Sequence, residues 1–355
     1  AEGVYVYDTE GQRYIDFYGG HAVCLLGHSP EAVVDAITKQ GKKFMFYSNL
    51  ARIPIRNEGA KKLVEFANND FRRAFFCNSG GEANENALKI AIKATGRSKI
   101  VAFEGGFHGR TLLAVGATHN PSWHEYLDDW LGAKLHIRPN DLDQISKIDE
   151  SVAAVILEPI QSIGGVTEFS AEYLQALRKS CDEVGTMLIF DEVQTGMGRL
   201  GVPFVSGSCG VMPDMMSLAK GIAAGFAMGA VVMKEEVAEK IAKGDIAATF
   251  GGGPMAVAAM MATIDEVQRQ DLLSNAREIE AHVREKFVGS LAKGVRGRGC
   301  LLGLELEKEA KPIQEALFAE GIITGLCSDK EVLHLLPPLT IQKEHVDLLY
   351  SALSK

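Results

Sequence analysis

The sequence predicts an α/β protein: a large domain with a mainly parallel sheet between helices, joined to a smaller α+β domain. Three observations carry this. From about residue 70, short apolar runs alternate with amphipathic ones, the pattern of strands that are each followed by a covering helix. Polar residues collect just after the apolar runs, at the carboxyl ends of strands where such sheets bind ligands. After about residue 262 the pattern changes to a long charged helix followed by further strands and helices. A chain of 355 residues is also too long for one ordinary core.

Taken in order, residues 4 to 18 alternate apolar and polar positions around an acidic, glycine-containing turn, which predicts a hairpin. This segment, within residues 1–40, is expected to pack with the small domain. In the large domain, residues 41–262, RRAFFCNSGG reads as a strand and EANENALKIAIKAT as the helix after it. SKIVAFEGG, VAAVILEP and TMLIFDEV are further strands, with the helical AEYLQALRKSCDEVG between the last two. The small domain, residues 263–355, holds the helix NAREIEAHVREKF, the strand CLLGLEL, the helix KPIQEALFAEG, the strand VLHLLPPL and a last helix.

Composition narrows the function. The hydrophobic fraction of 46% and charged fraction of 23% are those of a soluble globular protein. A net charge of −9 argues against nucleic-acid or membrane-surface partners. The six cysteines are scattered, with no C-x-x-C pair, so neither a disulfide framework nor a metal site is expected, and a cytoplasmic location is. The longest apolar run, IAAGFAMGAVVM, is too short to span a bilayer.

That run follows an odd residue. In MMSLAKGIAAGF, Lys220 is the one charged group among apolar neighbours. It could snorkel, stem packed and amine in water. It could instead be an amine kept neutral to attack a carbonyl or form a Schiff base. Two glycine-rich stretches compete as ligand loops. GMGRLG, residues 196 to 201, has the G-x-G-x-x-G spacing, but no helix follows it, so it reads as a loop with a flexible backbone near the site. NSGGEANENALKIA places Ser79, Gly80 and Gly81 between a strand and a strong helix. There a phosphate cradle and a capped helix with a tight turn fit equally well on spacing alone. The set of groups decides: a phosphate cradle, an acid at a strand end (Asp191), the aromatic Phe107 and the odd Lys220. A phosphorylated, carbonyl-bearing cofactor needs all four, with Phe107 stacked on its ring, Asp191 at its ring nitrogen, and Gly80 and Gly81 on its phosphate.

YDTEGQRYIDFYGG, FFCNSGGEANENALKIA, FHGRT, LIFDEVQTGMGRLG, the LAKG around Lys220 and TFGGGPMA together resemble the class III aminotransferases. These are pyridoxal-phosphate enzymes of fold type I, and the resemblance is strongest to their acetylornithine aminotransferase group. It runs over nearly the whole chain. It implies that Lys220 forms the Schiff base and moves the proton, that Asp191 pairs with the pyridine nitrogen, and that Gln194 touches the ring oxygen. Thr249 would reach the phosphate of a neighbouring subunit, making a homodimer, and Arg110, Ala248 and His334 fall at substrate-binding positions. The reaction implied moves the terminal amino group of an N-acylated basic amino acid to an oxo acid, usually 2-oxoglutarate, in arginine or lysine biosynthesis. An aminomutase of the glutamate-1-semialdehyde type, or an ω-aminotransferase with another donor, is the alternative.

The chain departs from that pattern at several positions. QSIGGV has Ile163 where glutamate is common, and HLLPPL has His334 where arginine is usual. Gly253 stands where asparagine is frequent, and Ala248 where serine is. Losing Ile163's and His334's usual counterparts together strands no charge. Two readings fit equally: drift in an enzyme that still uses glutamate through Arg110, or a changed acyl-amino-acid substrate. A protonated His334 could still bind a carboxylate.

Overall fold

The computed structural model describes residues 1–355 apart from 49, 68–70 and 133, and apart from the side chains of 128 and 207. The N-terminal hairpin pairs β1 (Tyr5–Tyr7) with β2 (Arg13–Asp16) antiparallel. Its turn is closed by Asp8, whose Oδ1 accepts from the N–H groups of Glu10 and Gln12, both at 2.9 Å.

The central sheet has seven strands. They are β3 (Arg73–Cys77), β4 (Lys99–Phe103), β5 (Lys134–Ile137), β6 (Val152–Leu157), then, after the short pair β7 (Ile160–Gln161) and β8 (Thr167–Glu168), β9 (Met187–Asp191), β10 (Met215–Leu218) and β11 (Gly229–Met233). Their spatial order is β3-β11-β10-β9-β6-β4-β5. β10, β9, β6, β4 and β5 run parallel, while β11 is antiparallel to both β10 and β3.

Period-two geometry divides each strand between two cores. Ile100, Ala102, Ala154, Ile156 and Ile189 face the helix Gly80–Thr95. Val101, Phe103, Val155, Leu157 and Leu188 face the helix Ala171–Val184. Burial on both faces explains why these strands read as unbroken apolar runs. β5, β10 and β11 were not separated as strands in the sequence. β10 and β11 lie within or just beyond the apolar run around Lys220, where no period marks the turn between them.

The C-terminal part builds an antiparallel sheet in the order β12 (Gly294–Arg298), β13 (Leu301–Glu305), β16 (Val332–Leu335), β15 (Gly325–Leu326). The helices Leu272–Phe287, Ala310–Ala319 and Lys343–Leu353 accompany it. β14 (Ile322–Ile323) leaves that sheet and runs parallel to β2, so the N-terminal hairpin is joined by backbone hydrogen bonds to the C-terminal residues. One apolar cluster runs from Val4 through Leu218 and Met260 to Leu349. No helix among the described residues is long and apolar enough to cross a membrane.

Candidate active site

The carboxyl ends of β3 and β9, the turn after β10 and the segment after β4 meet around a cavity of about 620 Å³. Its wall includes Ser79, Gly80, Gly81, Phe107, Arg110, Asp191, Gln194 and Lys220. Seven of the expected residues are therefore brought together from four separate segments of the chain.

The glycine end is a helix start. Ser79, extended, caps the helix Gly80–Thr95, its side chain accepting from Glu82 N–H at 3.2 Å. The first-turn N–H groups of Gly80 and Gly81 remain free of intrahelical partners, as at every helix start, and carry the positive end of the helix dipole. A Cβ on Gly80 would lie 2.8 Å from Val193 Cγ1, so the loop after β9 can close against the helix only because residue 80 has no side chain.

Asp191 ends β9 and is 3% exposed. Its Oδ2 takes hydrogen bonds from Asn84 Nδ2 at 2.6 Å and His108 Nδ1 at 2.8 Å, and its Oδ1 from Val193 N–H at 3.0 Å. Asn84 Oδ1 in turn accepts from Ser217 Oγ at 2.5 Å, and Asn84 Nδ2 also bonds the His108 carbonyl. Asn84 was missed in the sequence because an asparagine inside a helix carries no signal until the fold sets it beside an acid 107 residues later. His108 is fixed in its loop by its N–H, which donates to Thr118 Oγ1 at 2.9 Å, and its ring orients Asp191. His28 is a loop fastener, bonded to Asp16 at 2.8 Å.

Lys220 follows β10 at φ 43°, a left-handed conformation costly for a residue with a Cβ and concentrated at functional sites. Burial pushes its pKa down, partly opposed by the carboxylates of Glu158 and Asp191. Its Nζ donates to Gln194 Oε1. Glu158, buried at the end of β6, is raised to about 7, first by burial, and its Oε1 accepts from Phe107 N–H at 2.8 Å. Arg110 lies with its guanidinium 4.0 Å over the Trp123 ring, and Trp123 meets Phe107 edge-on with centroids 5.7 Å apart. Such a stack holds a cation while leaving its hydrogen-bonding edge free.

Three expected residues lie elsewhere in this chain. Thr249 is exposed, beside Phe250 at 67% exposure. Ala248 packs its methyl against the Cys77–Leu88 apolar cluster and not into the cavity. His334, on β16, is 1% exposed, and its pKa is pushed down to about 3, first by burial and then by Lys220. It is neutral near pH 7 and offers no cation to a carboxylate, correcting the expectation from the sequence. GMGRLG is not a flexible loop: Arg199 is fully buried there, donating to the carbonyls of Cys300 at 3.2 Å, Ala22 at 3.3 Å and Pro337. Arg296 and Arg298 form ion pairs on β12, with Glu305 and Asp329 and with Glu168 respectively.

The groups present suit a phosphorylated aromatic aldehyde. The cavity offers an amine with lowered pKa, a buried carboxylate fixed by two side-chain donors, an apolar ring and a helix N-terminus.

Residues 1–355 match the family model described as aminotransferase class-III. The acetylornithine aminotransferase of Aquifex aeolicus (strain VF5) is 40% identical over 360 residues, covering 99% of this chain and 94% of its own. That of Bacillus subtilis (strain 168) is 39% identical over 352 residues, covering 98% and 91%. Among solved structures, an amine transaminase from an uncultivated Pseudomonas species in its PLP-bound form superposes with a TM-score of 0.90 at 29% identity, over 99% of this chain and 92% of that one. The ornithine aminotransferase from Toxoplasma gondii ME49 gives 0.92 at 26%, over 99% and 88%. With its fold, its cavity and a family match along its entire length, this chain belongs to the class-III aminotransferases and is a pyridoxal-phosphate-dependent enzyme.

Proposed function

We propose that this enzyme transfers the terminal amino group of an N-acylated basic amino acid, of the N-acetylornithine type, to an oxo acid, with 2-oxoglutarate as acceptor. The observation that carries the reading is the single cavity that gathers Lys220, Asp191, Gln194, the Gly80–Gly81 helix start and Arg110. The names of the relatives at 38–40% identity support it.

Pyridoxal phosphate, when bound, supplies an aldehyde that condenses with amines and a ring that accepts the electrons released on deprotonation. Asp191, aimed by Asn84 and His108, would hold a proton on the ring nitrogen. Gly80 and Gly81 would bind the phosphate through their N–H groups, and Phe107 would lie against the ring. Lys220 would accept the substrate's proton as a neutral amine and return it one position away, and its lowered pKa favours that neutral form. Arg110 binds the donor's carboxylate. An N-acyl amino acid has one carboxylate and a neutral amide, which suits a wall with one guanidinium beside Phe107, Val23, Phe226 and Met228.

The working unit in this reading is a homodimer. Met45 at 65%, Leu50 at 93% and Phe250 at 67% exposure, with the Phe46 ring tilted against Phe250 and centroids 5.4 Å apart, form an apolar patch that a second copy would cover. Thr249 lies in that patch, and would complete the neighbour's phosphate site.

Borohydride reduction of the loaded enzyme tests the assignment of Lys220. The cofactor should be locked onto the peptide containing Lys220; label on another lysine would refute it.

A further inference from the structure

A line of buried polar groups leads from Lys220 away from the cavity. Lys220 Nζ donates to Gln194 Oε1. Gln194 Nε2 donates to Ser162 Oγ at 2.6 Å. Ser162 Oγ lies 3.0 Å from His334 Nε2. Ser162 is fully buried, Gln194 7% exposed and His334 1%. The four residues come from the turn after β10, the loop after β9, the loop after β7, and β16.

The chemistry of each member sets the direction of its neighbour. Lys220 donates to the carbonyl of Gln194, which leaves the Gln194 NH₂ to face Ser162. Ser162 then receives the amide proton and has its own O–H left to give. His334, neutral in this setting, receives it on Nε2 in the tautomer that carries its proton on Nδ1. Without Ser162, the amide of Gln194 would have no fixed sense, and its NH₂ could turn toward the Lys220 amine. Buried networks of this kind orient their members strongly because an unpaired group inside the protein is costly.

We infer that Ser162 and His334 are positioning residues which hold the Gln194 carbonyl on the Lys220 amine. This explains two side chains that the mechanism does not use, and gives His334 a task that requires it to be an uncharged acceptor. The inference rests on the reading of Lys220 as the reacting amine.

The test follows the rate at which the cofactor-free enzyme captures added pyridoxal phosphate, as a function of pH. Capture requires the neutral amine, so the midpoint of the profile reports the Lys220 pKa. Glu158, Asp191, Arg199 and His21, the other groups that bear on this amine, stay in place in every variant. In Ser162→Ala the amine loses a fixed acceptor, its ammonium is less favoured, and the midpoint should fall by roughly one pH unit. The kcat of the loaded enzyme should fall about tenfold, the effect of one misplaced hydrogen bond, with the donor KM changed less. Ser162→Thr keeps the hydroxyl and should restore both. His334→Leu should behave as Ser162→Ala and His334→Gln, which retains an acceptor, as the parent; this pair decides the matter if a serine variant fails to fold. The double variant Ser162→Ala/His334→Leu should be no worse than either single one.

An unmoved midpoint in Ser162→Ala, or an equal shift in Ser162→Thr, overturns the inference. If borohydride labels Lys220 but the midpoint does not move, only the relay falls. If it labels another lysine, the reading of Lys220 falls and the relay with it.

Discussion

At the residue scale, burial shifts the site's titratable groups toward their neutral forms. Lys220 owes its lowered pKa to burial first, as the lone lysine in an apolar run suggested. Its neighbours could not be read so directly. His334 stood in the sequence as a possible carboxylate binder, and only its burial behind Ser162 makes it a neutral acceptor. This has a consequence for stability. Between its ordinary value of 6.5 and the folded value of about 3, the unfolded chain binds a proton at His334 that the folded chain does not. The folded state therefore has its full advantage above about pH 6.5 and loses it as pH falls toward 3. His334→Gln, which cannot titrate, should lose less thermal stability on acidification than the parent. Equal slopes in thermal unfolding over that range would mean that His334 titrates normally in the fold.

At the element scale, the cofactor site is made by strand ends and by how closely they approach. The strand–helix alternation was legible from about residue 70 because burial on both faces leaves unbroken apolar runs, and the Ser79–Gly81 turn was legible because a strong helix starts there. The antiparallel β11 was not. It begins in AMGAVVM, directly after the Lys220 turn, and its role depends on a contact that no local pattern reports. A Cβ on Gly229 would lie 2.5 Å from the Ser79 carbonyl and 2.9 Å from Cys77 Sγ. Gly229→Ala should thus push the phosphate-binding turn from its place, at a cost of about 1–3 kcal/mol in stability and with weaker retention of pyridoxal phosphate on dialysis. Unchanged denaturant midpoint and unchanged retention would show that the turn yields freely. Asn84 makes the same point for side chains: it contributes nothing to the periodicity of its helix, yet fixes Asp191.

At the scale of the whole molecule, the hairpin at the N-terminus and the C-terminal residues share the β2–β14 pairing, and one apolar cluster joins them to the central part of the chain. We propose the division into residues 1–40, 41–262 and 263–355 as units of architecture, with the first and last moving together. Residues at the Thr249 patch were legible only through resemblance, since an exposed threonine has no signal of its own. If Thr249 serves the neighbouring subunit, mixing inactive Lys220→Ala and weakened Thr249→Ala proteins under exchange should restore activity, because one site of each mixed dimer is intact; no recovery would place Thr249 outside the site. The account's central claim is tested most directly by a single half-reaction. N-acetylornithine added alone to the loaded enzyme should shift the bound cofactor's absorbance to that of its aminated form, and 2-oxoglutarate added next should reverse the shift. Full conversion by ornithine or 4-aminobutyrate with none by N-acetylornithine would contradict the assigned donor. Conversion by N-acetylornithine without reversal by 2-oxoglutarate would contradict the assigned acceptor.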